Sequence, residues 1–138
     1  MNYVLKNSIA YRFLRGANNV NKILNKILSP YNIAIEQRAT LEIIKFESNV
    51  NQTTIANLLG KDKTTISRSL NSLEKKELIR KTEAIGDKRS NNIELTNAGE
   101  VILENTFDDV TSFRESLNKK LTPKEIEIFF KILDKLEL

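Results

Sequence analysis

Lys61, Lys63, Thr64, Thr65, Ser67, Arg68 and Asn71 fall within eleven residues, 61–71. Hydroxyls, an amide and cationic groups in this pattern suit recognition rather than bond making. Short polar side chains near a helix start reach base edges, while Lys, Arg and the helix N-terminus engage phosphate. A second cluster follows at Gly86-Asp87-Lys88-Arg89-Ser90, a charged turn between two short stretches that read as strands. A two-stranded ribbon is narrow, and a basic tip suits the minor groove, whose negative potential favours guanidinium. Arg89 is the expected inserted side chain. Lys88 is expected on phosphate with Ser90 beside it, and Asp87 is expected to orient the tip by pairing with a nearby arginine. A solvated helix face and a solvated turn are the plain alternatives.

Other chemistries lack their residues. The 138 residues contain no Cys and no His. That excludes a disulfide framework, a thiolate metal site and a thiol redox switch, and it removes the commonest general base. Asp108 and Asp109 are adjacent, and neighbours on a helix point about 100° apart, so they suit a solvated face better than an acid–base pair. There is no phosphate loop or nucleophile elbow. No enzyme, metal or cofactor is expected. No segment approaches the ~20 apolar residues of a membrane span, and the N-terminus lacks a signal-like apolar run, so the expected location is cytoplasmic, with no membrane partner.

Charge is distributed unevenly. The net charge is +4. Residues 1–60 carry seven Lys/Arg against three Asp/Glu, residues 61–90 nine against five, and residues 91–138 six against ten. A basic front with an acidic back fits a protein that meets a polyanion with one side, although a mixed-charge surface would give the same totals.

These clusters need elements to hold them. Apolar spacing predicts a helix over 3–28, stopped by Ser29-Pro30, and a second over 36–47 with Ala39, Ile43 and Phe46 on one face. A third covers 52–59, capped by Asn49 or Asn51, with Ile55, Leu58 and Leu59 inward and Gly60 as its end. Asp62 caps a fourth over 63–76, with Ile66, Leu70 and Leu73 at i, i+4, i+7. Residues 79–85 and 91–95 read as strands around the tip 86–90. Thr96 opens a helix over 97–118. Thr122, Pro123 and Glu125 open the last one with a capping box. The expected fold is mainly α: a winged helix-turn-helix with a small β-hairpin wing, flanked by terminal helices.

At this level the chain resembles the MarR-type winged-helix transcriptional regulators. The resemblance rests on "TTIANLLGKDKTTISRSLNSLEKKELIRK" followed by "GDKRSNNIELTNAG", which match the family's helix, turn, recognition helix, Asp-x-Arg wing and Leu-Thr-x-x-Gly. Gln37 also sits where the family often has Gln. Glu77 departs from the usual Gly, where a left-handed residue costs Glu roughly 1 kcal/mol, so a locally different turn is expected. Ile35 replaces a frequent capping Thr, and Asp-Lys-Arg replaces the commoner Asp-Arg-Arg.

The resemblance implies a single MarR-like domain over 1–138, with a DNA-binding core at 34–98 and dimerisation helices at 1–30 and 99–138. It implies a homodimer, a double-stranded DNA partner with a pseudo-palindromic operator, and repression as the usual mode. The terminal segments support the dimer independently, since Val4, Leu5, Ile9, Phe129, Phe130, Leu133 and Leu136 exceed what a small winged-helix core absorbs. Packing of these residues within one chain is the alternative. A small aromatic effector is a further implied partner, with Tyr11, Phe13 and Arg15 as candidates for its crevice, although aromatics on a helix also suit a core. A winged-helix module that docks on protein rather than DNA is the rival reading, and the basic residues argue against it.

Overall fold

The computed structural model describes the backbone of residues 3–84 and 87–137 and the side chains of 4–82 and 92–137. The helix expected over 3–28 is two, α1 (Tyr3–Lys6) and α2 (Ile9–Leu28). Ser8 divides them. Its backbone is extended and its hydroxyl accepts the Tyr11 N–H at 3.1 Å, which is an N-cap, so a new helix starts inside the apolar periodicity. A 3₁₀ turn, Ser29–Tyr31, carries Pro30 and closes on left-handed Asn32.

α3 (Ile35–Phe46) begins one residue earlier than expected. Its N-cap, Ala34, has no side-chain acceptor. Other residues supply it: Asn25 Oδ1 on α2 accepts the Ile35 N–H at 2.8 Å, and Gln37 Oε1 accepts the Ala34 N–H at 3.2 Å. The inward face also differs. Arg38, Thr40, Leu41 and Ile44 are buried, whereas Phe46 is 77% exposed. The helix is turned because buried Arg38 finds polar partners on a later helix, an arrangement that apolar periodicity does not encode.

α4 (Gln52–Leu59) is capped by Asn51, whose Oδ1 accepts the Thr54 N–H at 2.9 Å. Ile55 and Ala56 face inward, while Leu58 is exposed, contrary to the expected Ile55, Leu58 and Leu59 set. Ala56 takes the inward position, and its carbonyl accepts the N–H groups of Gly60 and Lys61 in the turn that follows. α5 (Lys63–Lys75) comes next, then β1 (Ile79–Ala84) and β2 (Asp87–Leu95), an antiparallel pair.

The register runs from Ile79↔Leu95 to Glu83↔Asn91 and then shifts to Ala84↔Asp87. Asp87–Ser90 therefore belong to strand β2 rather than to the expected 86–90 tip. Residues 88–90 fall in the register irregularity between two paired positions, a bulge-like excess on one strand. α6 (Asn97–Lys119) and α7 (Pro123–Leu136) complete the chain.

The chain forms two compact units, the first through Thr106 and the second from Phe107. The core of the first is Leu28, Leu41, Ile55, Ile66, Leu70, Leu73 and Ile79, all nearly inaccessible. Each such side chain contributes about 1.5–3 kcal/mol through burial.

Candidate nucleic-acid interface

α5 is fixed at both ends and along one side. At its start, Asp62 Oδ1 accepts the Thr65 N–H at 2.6 Å. The Thr65 hydrogen bonds, with a smaller contribution from Arg68, hold the Asp62 carboxyl below its ordinary pKa of 3.8. A depressed folded-state pKa means that this cap acts fully above the ordinary value and is lost as pH falls through the lowered one. Gly60, at φ 65°, supplies the turn before it. Gln52 Nε2 donates to the Lys63 carbonyl at 2.8 Å, tying α4 to the start of α5.

At its end, α5 closes in a Schellman motif. The Leu78 N–H donates to the Leu73 carbonyl at 3.0 Å and the Glu77 N–H to the Glu74 carbonyl at 2.9 Å. Glu77 is left-handed, at φ 60°, so the turn usually made by Gly is retained rather than altered. Thr96 then locks it. Its hydroxyl donates to the Glu77 carbonyl at 2.7 Å and accepts the Gly99 N–H at 3.1 Å, while its N–H donates to the Leu78 carbonyl. A Cβ on Gly99 would overlap that same Leu78 carbonyl oxygen. The Leu-Thr-x-x-Gly motif is thus the joint between the end of α5 and the start of α6.

Ile66, Leu70 and Leu73 anchor α5 inward, as expected. That leaves Lys63, Thr64, Arg68 and Asn71 exposed, with Thr65 and Ser67 half-buried. Lys61 is drawn to Glu36, 3.6 Å away, an exposed pair worth at most about 1 kcal/mol and easily exchanged for phosphate. The side chains of Asp87, Lys88, Arg89 and Ser90 lie outside the described residues. On the terminal helices, Val4, Leu5, Ile9, Phe129, Phe130 and Leu136 are exposed and Leu133 is half-buried. Tyr11 is half-buried, and Phe13 and Arg15 are exposed.

Several contacts escaped sequence reasoning. Arg38 is buried, with Nε donating to Thr106 Oγ1 at 2.7 Å and the guanidinium also bonded to Glu42. Gln37 Nε2 donates to Ser72 Oγ, and Lys76 Nζ donates to Gln37 Oε1, joining the start of α3 to α5. Lys81 Nζ donates to Asn71 Oδ1 at 2.8 Å, joining the ribbon to α5. A recess of about 660 Å³ lies between α2, α3 and α5, bordered by Asn21, Gln37, Lys61, Arg68 and Ser69. The Ser69 hydroxyl is buried without a hydrogen-bond partner.

A model of the MarR family matches residues 31–90. The HTH-type transcriptional regulator MgrA of Staphylococcus aureus is 31% identical over 112 residues, covering 78% of this chain and 76% of MgrA. The S. aureus MepR–DNA complex superposes with a TM-score of 0.87 at 26% identity, over 94% of this chain and 96% of that one. A cysteine-to-serine mutant of MarR from E. coli, complexed with operator DNA, has a TM-score of 0.83 over 99% of both chains, and at 24% identity this likeness bears on the fold. The helix-turn-helix, the joint at Thr96 and Gly99 and these likenesses agree: the chain belongs to the MarR family of winged-helix transcriptional regulators and is not an enzyme.

Proposed function

We propose that this regulator is a cytoplasmic homodimer that binds double-stranded DNA sequence-specifically and represses by occluding a promoter. Residues 34–98 form its DNA-binding core, and residues 1–30 and 99–138 its dimerisation helices. α5 lies in the major groove, with Lys61, Lys63, Thr64, Thr65, Ser67, Arg68 and Asn71 toward DNA. The wing places Arg89 in the minor groove, with Lys88 and Ser90 on the backbone and Asp87 orienting the tip. The observation that carries this reading is α5 itself. Its apolar stripe is buried within its own chain, both ends are fixed, and a polar, cationic face is left outward beside a β-ribbon. The DNA named in the complexes of MepR and MarR agrees with it. Two such helices related by a two-fold would sit roughly 34 Å apart and read a pseudo-palindrome.

Val4, Leu5, Ile9, Phe129, Phe130, Leu133 and Leu136 form the dimer contact. A small aromatic effector is also part of the proposal. The recess beside α5 suits it better than Tyr11, Phe13 and Arg15. Its volume falls within the usual range for ligand sites, and it offers Lys61, Arg68 and the unpaired Ser69 hydroxyl. An effector there would act by favouring a DNA-incompetent form.

The test is fluorescence anisotropy on the DNA flanking its own gene against a scrambled duplex, across a salt series. Binding to the flank is expected to be at least about a hundredfold tighter, a threshold set below the usual specific-to-non-specific ratio of roughly a thousandfold or more. Arg89→Ala should lower the salt slope by about 1. Equal, weak binding to both duplexes would favour a protein-docking module.

A further inference from the structure

Lys81 stands on the inner face of the ribbon. It shares that face with buried Ile79, and it pairs across the ribbon with Ile93, which is also buried. Its stem is half-buried, and its ammonium emerges beside α5 to donate to Asn71 Oδ1 at 2.8 Å. The ammonium has donors only, so the amide atom facing it is the oxygen. The Asn71 amide is therefore held with its oxygen toward the ribbon and its NH₂ free to turn outward. Arg80 and Glu94, on the opposite face, pair with each other at 3.7 Å and leave Lys81 to Asn71.

This orientation matters for base reading. An asparagine that grips adenine accepts from N6 with its oxygen and donates to N7 with its nitrogen. Lys81 takes one of the two lone pairs of that oxygen, so the adenine N6 amine would have to share it with a cationic donor, which disfavours adenine. Guanine presents two acceptors, O6 and N7. The Asn71 NH₂ and the Lys81 ammonium together offer two donors.

We infer that Lys81 is a specificity-determining residue, which positions Asn71 so that the pair reads guanine rather than adenine in the major groove. The inference rests on the proposal that α5 enters that groove. The same two donors also suit a phosphate, and the test separates the two.

The wild-type protein would first select duplexes from a random-sequence pool. Each base pair of the selected operator is then exchanged in turn, and affinities are compared for wild type, Lys81→Met, Lys81→Arg and Asn71→Ala. Lys81→Met retains the stem and its packing, and an unchanged melting temperature verifies that. Wild type should favour G over A about tenfold at one position repeated in each half-site, the scale of one bidentate contact. Lys81→Met should shift that position toward A and leave the others unchanged. Lys81→Arg should keep the preference for G, and Asn71→Ala should level it. If Lys81→Met weakens all sequences by one factor with every preference intact, Lys81 is a phosphate contact and the inference is wrong. If wild type selects no sequence, the DNA-reading proposal itself fails, and this inference fails with it.

Discussion

α5 and α7 are of nearly equal length, with 13 and 14 residues, and both begin on a good cap. Asp62 caps the first. Thr122 caps the second in a full capping box, with Glu125 N–H donating to Thr122 Oγ1 at 3.1 Å and Thr122 N–H donating to Glu125 Oε1 at 2.9 Å. Both end beside a left-handed glutamate, Glu77 or Glu137. They differ in what their sides meet. α5 buries three large aliphatic residues and leaves a polar face outward. α7 buries none, and Phe129 and Phe130 are 46% and 58% exposed. A helix this short is marginal alone in water, and capping does not supply what packing would. The difference separates two kinds of exposed surface. The outer face of α5 has water as an adequate solvent and is available for exchange with a polar partner. The face of α7 requires an apolar one.

The largest expected effect breaks that distinction at α7. Phe129→Asp with Phe130→Asp should leave α5 and its caps untouched but place two charges on the apolar face. Light scattering after size exclusion should report a monomer. Affinity for a two-half-site operator should fall at least about a hundredfold, because the second half-site would no longer be bound intramolecularly. A protein that stays dimeric would show that α7 is not the interface.

A second variant probes the buried arginine that ties α3 to α6. Arg38 is buried on α3 with Thr106 and the Leu103 carbonyl as partners, and Glu42 pairs with its guanidinium. Arg38→Met should destabilise by about 2–3 kcal/mol, at or just below the low end of the range of about 3–5 kcal/mol for a broken buried pair because Glu42 is partly exposed. Adding Glu42→Leu should recover most of the loss, since an apolar replacement of a buried pair is often neutral. Chemical denaturation of the three proteins measures both steps.

The sequence was legible where one residue decides a local geometry. Asp62, Thr122 with Pro123, Gly60 and the Ile66-Leu70-Leu73 stripe each predict their own surroundings, and all are found as read. Reading failed where distant residues compete. Ser8 outweighs the apolar periodicity around it. Arg38 turns α3 because its hydrogen-bond partners lie 65 and 68 residues away, and Phe46 is turned outward as a result. Lys81 meets Asn71 across ten residues and two elements, a contact that no motif encodes. The outer face of α5 was read from residue type and spacing because surface position follows from the buried stripe. The bond that orients one of its side chains required the tertiary structure.

The smallest effect sharpens the comparison at the two helix ends. Glu77 holds φ 60° in the Schellman turn that orients the ribbon, and that conformation disfavours any residue with a Cβ. Neighbours compensate: Thr96 donates to the Glu77 carbonyl, and buried Leu78 and Leu73 supply the apolar contact the motif favours. Glu77→Gly should relieve the strain and raise stability by about 1 kcal/mol, reduced slightly by the added freedom of the unfolded chain. Glu137 has the same left-handed backbone, at φ 55°, but lies beside a helix with no buried residue. Glu137→Gly should change global stability by less than about 0.5 kcal/mol, as a helix end with few buried contacts opens without global unfolding. Equal gains at both ends would mean that backbone strain alone sets the effect. A gain at Glu77 only would mean that the strain counts where packing holds the turn closed.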